Sequence, residues 1–124
     1  MTPLLPFERL ILEGLGAALP EAQRPRYAQQ LAHINKVQRL LDWREIEFFC
    51  MRWFRVRWPE ALLFENRAEF ELGTGLLRAA GAEQRVRVWA VGGHVFSIEA
   101  EQGLKPWRDA RDLSFSPDPQ PAGL

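Results

Sequence analysis

The chain has 124 residues, 47% of them hydrophobic, and its 16 basic side chains balance 16 acidic ones. That length suits one domain able to bury about two-thirds of its unfolded surface. The zero net charge removes any long-range field steering it toward nucleic acid or an anionic membrane, and the single cysteine excludes an internal disulfide.

No apolar run approaches the ~18–20 residues that cross a bilayer. The N-terminal stretch is apolar, but it lacks a basic leader. Glu8, Arg9 and Glu13 also interrupt the part a signal peptide keeps apolar. A cytoplasmic protein is expected, with no membrane among its partners.

Residues 6–19 read as a helix. Thr2-Pro3 and Pro6 are start signals, and Pro20 is a stop. Phe7, Leu10, Ile11, Leu15 and Leu19 form one apolar stripe. A second helix is predicted over 25–41, with Tyr27, Leu31, Ile34, Val37 and Leu41 inward. Arg26, His33, Lys36 and Arg39 spread over the rest of its surface.

The stretch 44–58, REIEFFCMRWFRVRW, is dense in aromatic and β-branched residues and reads as one strand ended by Pro59. Part of it also fits helical spacing (Ile46, Phe49, Cys50, Trp53 and Phe54), but the composition favours a pleated surface. Even positions from Ile46 to Trp58 are apolar except Arg52. Either a bulge turns Arg52 outward or its stem packs while its head reaches an acid. Odd positions place Phe49, Met51 and Trp53 between charged ends.

Residues 60–68 read as either a turn or a short strand. Residues 69–79 form a strand with Phe70, Leu72, Thr74 and Leu76 on one face, and Gly73, Gly75 and Leu77 on the other. Residues 84–91 and 94–101 form a hairpin. A two-residue Gly92-Gly93 turn, the usual choice, would mix polar and apolar side chains on both faces. A three-residue loop, Val91-Gly92-Gly93, puts Val86, Val88 and Ala90 beside Phe96, Ile98 and Ala100, with Arg85 opposite Glu99. Residues 1–115 are read as a single α+β domain, and 116–124 as a Pro-rich flexible tail.

The expected fold is α+β, with two N-terminal helices packed on one face of a four-stranded antiparallel β-meander. Four strands span about 19 Å, and two helices of about 10 Å diameter cover that width. The outer face is then left with Phe49, Met51, Trp53, Leu77, Trp89, Val91 and Val95 inside a charged rim, the anatomy of a protein interface. A competing reading folds Trp107, Leu113 and Phe115 back over that face.

The leading functional expectation is a non-catalytic interaction protein using this outer face: a homodimer, an adaptor, or an inhibitor of the immunity type. The alternative is a small-ligand binder or enzyme with a pocket between helices and sheet, where Arg52 would hold an anion. The general shape of that alternative is similar to cystatin-like and NTF2-like folds. No catalytic, cofactor or metal motif is present. His33 and His94 lack neighbours at metal-ligand spacing. Cys50 reads as a small hydrophobe rather than a nucleophile. The glutamates at 47, 69, 71, 99 and 101 read as ion-pair partners rather than acid–base pairs. The run 52–58 interleaves arginine with aromatics, as single-strand nucleic-acid platforms do. Acids on neighbouring strands argue against that use.

Overall fold

The first helix, α1 (Pro6–Gly16), begins as predicted, with Pro6 in its first turn and the Glu8 carboxylate reaching back to accept the Leu5 N–H at 2.8 Å. It ends three residues early, at Gly16, and turns through Ala17–Leu19 to Pro20. Phe7, Ile11, Leu12 and Leu15 face the core. The second helix, α2 (Arg24–His33), is tied to α1 by the Tyr27 hydroxyl, which donates to the Leu12 carbonyl at 2.7 Å. Burial pushes the Tyr27 phenol far above its ordinary pKa, so it stays a donor.

The computed structural model describes residues 3–119 and 124. Thr2 of the predicted helix start and positions 120–123 of the predicted tail lie outside the described residues. The strands are β1 (Lys36–Leu40), β2 (Glu45–Phe49), β3 (Met51–Arg52), β4 (Arg55–Val56), β5 (Phe70–Ala79), β6 (Ala82–Val91), β7 (His94–Glu99) and β8 (Ser114–Pro117). Six of them make one antiparallel sheet in the order β1-β2-β7-β6-β5-β8, while β3 and β4 pair only with each other. The α+β class with two helices and a large antiparallel sheet therefore holds, but the sheet has six strands rather than four.

The added strands come from two misread segments. Residues 36–40 are strand β1, not the end of a helix. Val37 and Arg39 pair with Phe48 and Ile46 of β2 and share their inward face. The apolar spacing alone fits a helix, since the strand puts Arg39 inward and Leu40 on the other face, and pairing with a strongly β-forming neighbour overrides it. At the other edge, Ser116 and Pro117 pair with Leu76 and Gly75, so the start of the predicted tail is an edge strand. Asp118 extends it, accepting from the Thr74 hydroxyl at 2.7 Å and from Arg85.

Two bulges set which side chains look inward. In β5 the register shifts between Glu71 and Gly73, and beyond it Gly73, Gly75 and Leu77 turn toward α1. The glycines are needed there. A Cβ at Gly73 would run into the Leu15 side chain, and one at Gly75 into Phe115. In the β6–β7 hairpin the turn is the two-residue Gly92-Gly93, with Val91 opposite His94 and φ of 61° and 89°. The parity change assigned to a three-residue loop comes instead from a bulge at Phe96. Trp89 pairs with Ser97, Ala90 with Val95, and Arg87, not Arg85, with Glu99. Val86, Val88, Ala90 and Ile98 end up buried together as expected, while Phe96 leaves their face.

Two buried polar groups fasten this core. Glu8, 0% exposed, takes both its oxygens to Arg39 at 2.7 and 2.8 Å. Gln30, also 0% exposed, donates to the carbonyls of Leu62 (2.6 Å) and Gly93 (3.1 Å) and accepts from the Val95 N–H (2.9 Å). It thus joins α2 to the loop after β4 and to the β6–β7 turn.

Candidate docking hairpin

The segment read as one long strand is a strand followed by a small projecting hairpin. After β2 the chain continues through Cys50 into β3, reverses at Trp53-Phe54 and returns in β4. Met51 pairs with Val56 and Arg52 with Arg55. The two turn residues have φ of 53° and 65°, the left-handed pair that a two-residue turn needs to match strand twist. Asparagine and glycine ordinarily occupy such positions. A side chain with a full Cβ costs roughly 1–2 kcal/mol at each in that conformation.

A two-stranded hairpin is at best marginally stable in water, so this one depends on its base. The Asn35 side chain acts as a strand partner, accepting the Met51 N–H at 2.7 Å and donating to the Met51 carbonyl at 2.9 Å. The Arg57 N–H donates to the Cys50 carbonyl at 2.7 Å. Below that, Cys50 is 3% exposed, and Trp58, 8% exposed, stacks on the His94 ring at 4.5 Å. The stem is held and the tip is bare: Trp53 is 87% and Phe54 99% exposed, with Val56 beside them at 53%.

The charge carried by the hairpin itself has one sign. Arg52 and Arg55 sit directly across the hairpin from each other, an arrangement that repels. Among the described residues, neither they nor Arg57 enters an ion pair. All three are exposed.

The residues expected on the outer sheet face separate into three groups. Trp53 is at the hairpin tip, and Met51 is half-buried in its stem. Phe49, Trp89 and Val91 are half-buried on the sheet, where Phe49 packs edge-on against Phe96 at 6.0 Å beneath the Lys36 ammonium. Leu77 and Val95 are 0% exposed. They belong to the core, because the β5 and β7 bulges reverse the faces assumed for them. Arg52 is also corrected: it is at the exposed hairpin, not inside, and cannot hold an anion between helices and sheet. Phe115 packs beside Gly14 of α1, and Trp107 is buried in the Lys105–Asp109 segment that contacts α1, so they do not cover the outer face. Phe54 and Val56, read as inward, are among the most exposed apolar residues described.

Two grooves remain. One of about 790 Å³ lies on the outer face and is lined by mixed charge, including Arg44, Glu45, Arg85, Arg87 and Glu99. The other, about 650 Å³, runs between the helices over Leu12, Tyr27, Leu31 and Ile34 with Arg9, Glu13 and Arg24 at its rim. Neither gathers a nucleophile and a base. Cys50 is buried, and burial pushes its thiol pKa up, away from thiolate chemistry. Among the described residues no three His, Cys, Asp or Glu side chains are grouped as a metal would require.

His94 gives the hairpin base a pH dependence. Burial lowers its pKa, outweighing the opposing effect of its hydrogen bond to the Val95 carbonyl. A histidine that resists protonation when folded adds stability above its unfolded value of about 6.5, and that stability is lost as the pH falls through and below it. Urea unfolding at about pH 7.5 and about pH 5.5 should show a lower midpoint at the acid value, and His94→Phe should shrink the difference. An equal difference in the variant would assign the effect elsewhere.

No family model matches this chain, and no curated protein or solved structure matches it. Among the described residues no helix is long and apolar enough to cross a membrane.

Proposed function

We propose that this protein is a non-catalytic docking module that engages its target through the Trp53-Phe54 hairpin. One observation carries the reading. Two large aromatics stand almost wholly in water at a turn whose backbone they are poorly suited to adopt. Local strain combined with apolar exposure costs stability twice over, and such features concentrate where binding uses them. The surface differs from the outer sheet face read from the sequence, while the class, an interaction protein, is the same.

Replacing the turn by the residues it would favour, Trp53→Asn with Phe54→Gly, separates binding from folding. Whole cell extract passed over immobilised wild type and over this variant should leave a component on the first that is missing from the second, with both proteins folded by circular dichroism. Identical retention on the two columns would remove the hairpin from any binding role. The inter-helix groove supports a second reading, a small apolar ligand held over Leu12 and Tyr27. Thermal shifts on adding fatty acids or aromatic compounds would detect it, and Leu31→Arg should abolish them.

A further inference from the structure

Resting on the docking role of the hairpin, we infer that its target is an anionic lipid surface, entered by Trp53 and Phe54 and held by Arg52, Arg55 and Arg57. Three observations favour a bilayer over a protein. The first is order along the hairpin. The aromatics are at the extreme tip, and the first arginine pair lies immediately behind them. A bilayer interface has the same layering, with apolar depth in front and anionic headgroups behind, where tryptophan in particular settles. The second is charge. All three stem arginines are exposed and outside any ion pair among the described residues, and no acid lies between positions 48 and 59 to satisfy them.

The third is area. Two aromatics can bury about 300–500 Å² together, well short of the ~800 Å² per partner of a stable protein interface. Reversible membrane attachment needs only a shallow apolar anchor plus electrostatic attraction. The neutral total charge of the chain conceals this, because the local field of three arginines acts within a Debye length of about 8–10 Å.

Each arginine near an anionic leaflet strengthens binding about fivefold, so three together should give about a hundredfold preference over neutral lipid. The test is sedimentation of the full chain with vesicles of phosphatidylcholine alone and of phosphatidylcholine with phosphatidylserine. Wild type should sediment with the second and scarcely with the first, and rising salt should release it. Trp53→Asn/Phe54→Gly should lose at least nine-tenths of the binding, and Arg52→Gln/Arg55→Gln/Arg57→Gln should fall to the level of neutral vesicles. Binding to neither vesicle, or equally to both, overturns the inference. In that event a membrane-free extract divides the remaining cases. A protein retained by wild type and missing from the tip variant leaves the docking role standing with a protein target, whereas equal retention removes both.

Discussion

Replacing Arg39 with methionine should cost about 3–5 kcal/mol of unfolding free energy. The Glu8 carboxylate is wholly buried, and Arg39 is its main charge partner, through Nε at 2.8 Å and a terminal guanidinium nitrogen at 2.7 Å. The remaining bond to Glu8, from the Leu5 N–H, cannot neutralise a desolvated anion. The guanidinium also lies 5.0 Å from the Trp43 ring centre, and Trp43 stacks on Phe7, so truncation loosens packing as well as charge. A well-packed apolar pair in place of a buried ion pair is often neutral or better. Glu8→Leu with Arg39→Met should therefore recover most of the loss. Guanidinium unfolding of the two single variants and the double variant checks this. A single-variant loss under about 1 kcal/mol would mean that water reaches Glu8 and the pair behaves as an exposed one.

Gln30→Met should cost roughly 3 kcal/mol or more. It preserves side-chain length but strands the Leu62 carbonyl and the Val95 N–H, while the Gly93 carbonyl keeps only the Phe64 N–H, and each buried group so stranded costs about 1–3 kcal/mol. Gln30→Glu should do no better, since a carboxylate cannot donate to two carbonyls. Guanidinium unfolding measures both. Near-native stability of Gln30→Met would show that the loop after β4 and the glycine turn can shift to find other partners.

Much of the architecture was legible because it rests on strong local patterns. The α1 stripe, the 69–79 strand and the presence of a hairpin at Gly92-Gly93 are marked by periodicity or glycine, but not the length of its turn, for which the pattern argues three residues and the structure has two. The failures trace to particular positions. Residues 36–40 carry no apolar alternation, because the strand turns Val37 and the charged Arg39 inward, and only pairing with Phe48 and Ile46 makes them a strand. The bulges at Leu72 and Phe96 have no composition signal, yet each reverses a face. That is why Leu77 and Val95 appeared exposed.

The hairpin was missed for a different reason. Its turn residues are those a turn should avoid. A cue was nonetheless present: Met51-Arg52-Trp53-Phe54-Arg55-Val56 is nearly symmetric about its centre, apolar–basic–aromatic–aromatic–basic–apolar. A two-residue hairpin pairs residues in that way. Reading the stretch for mirror symmetry, as well as for alternation, would have placed Arg52 across from Arg55 and outside the core.

The central claim is that Trp53 and Phe54 are placed at this turn for binding and at a cost to folding. Its most direct test is the unfolding free energy of Trp53→Asn/Phe54→Gly. Relief of two left-handed bulky residues predicts a protein about 1–3 kcal/mol more stable than wild type. A variant less stable than wild type would contradict the claim, because the aromatic pair would then be holding the hairpin together.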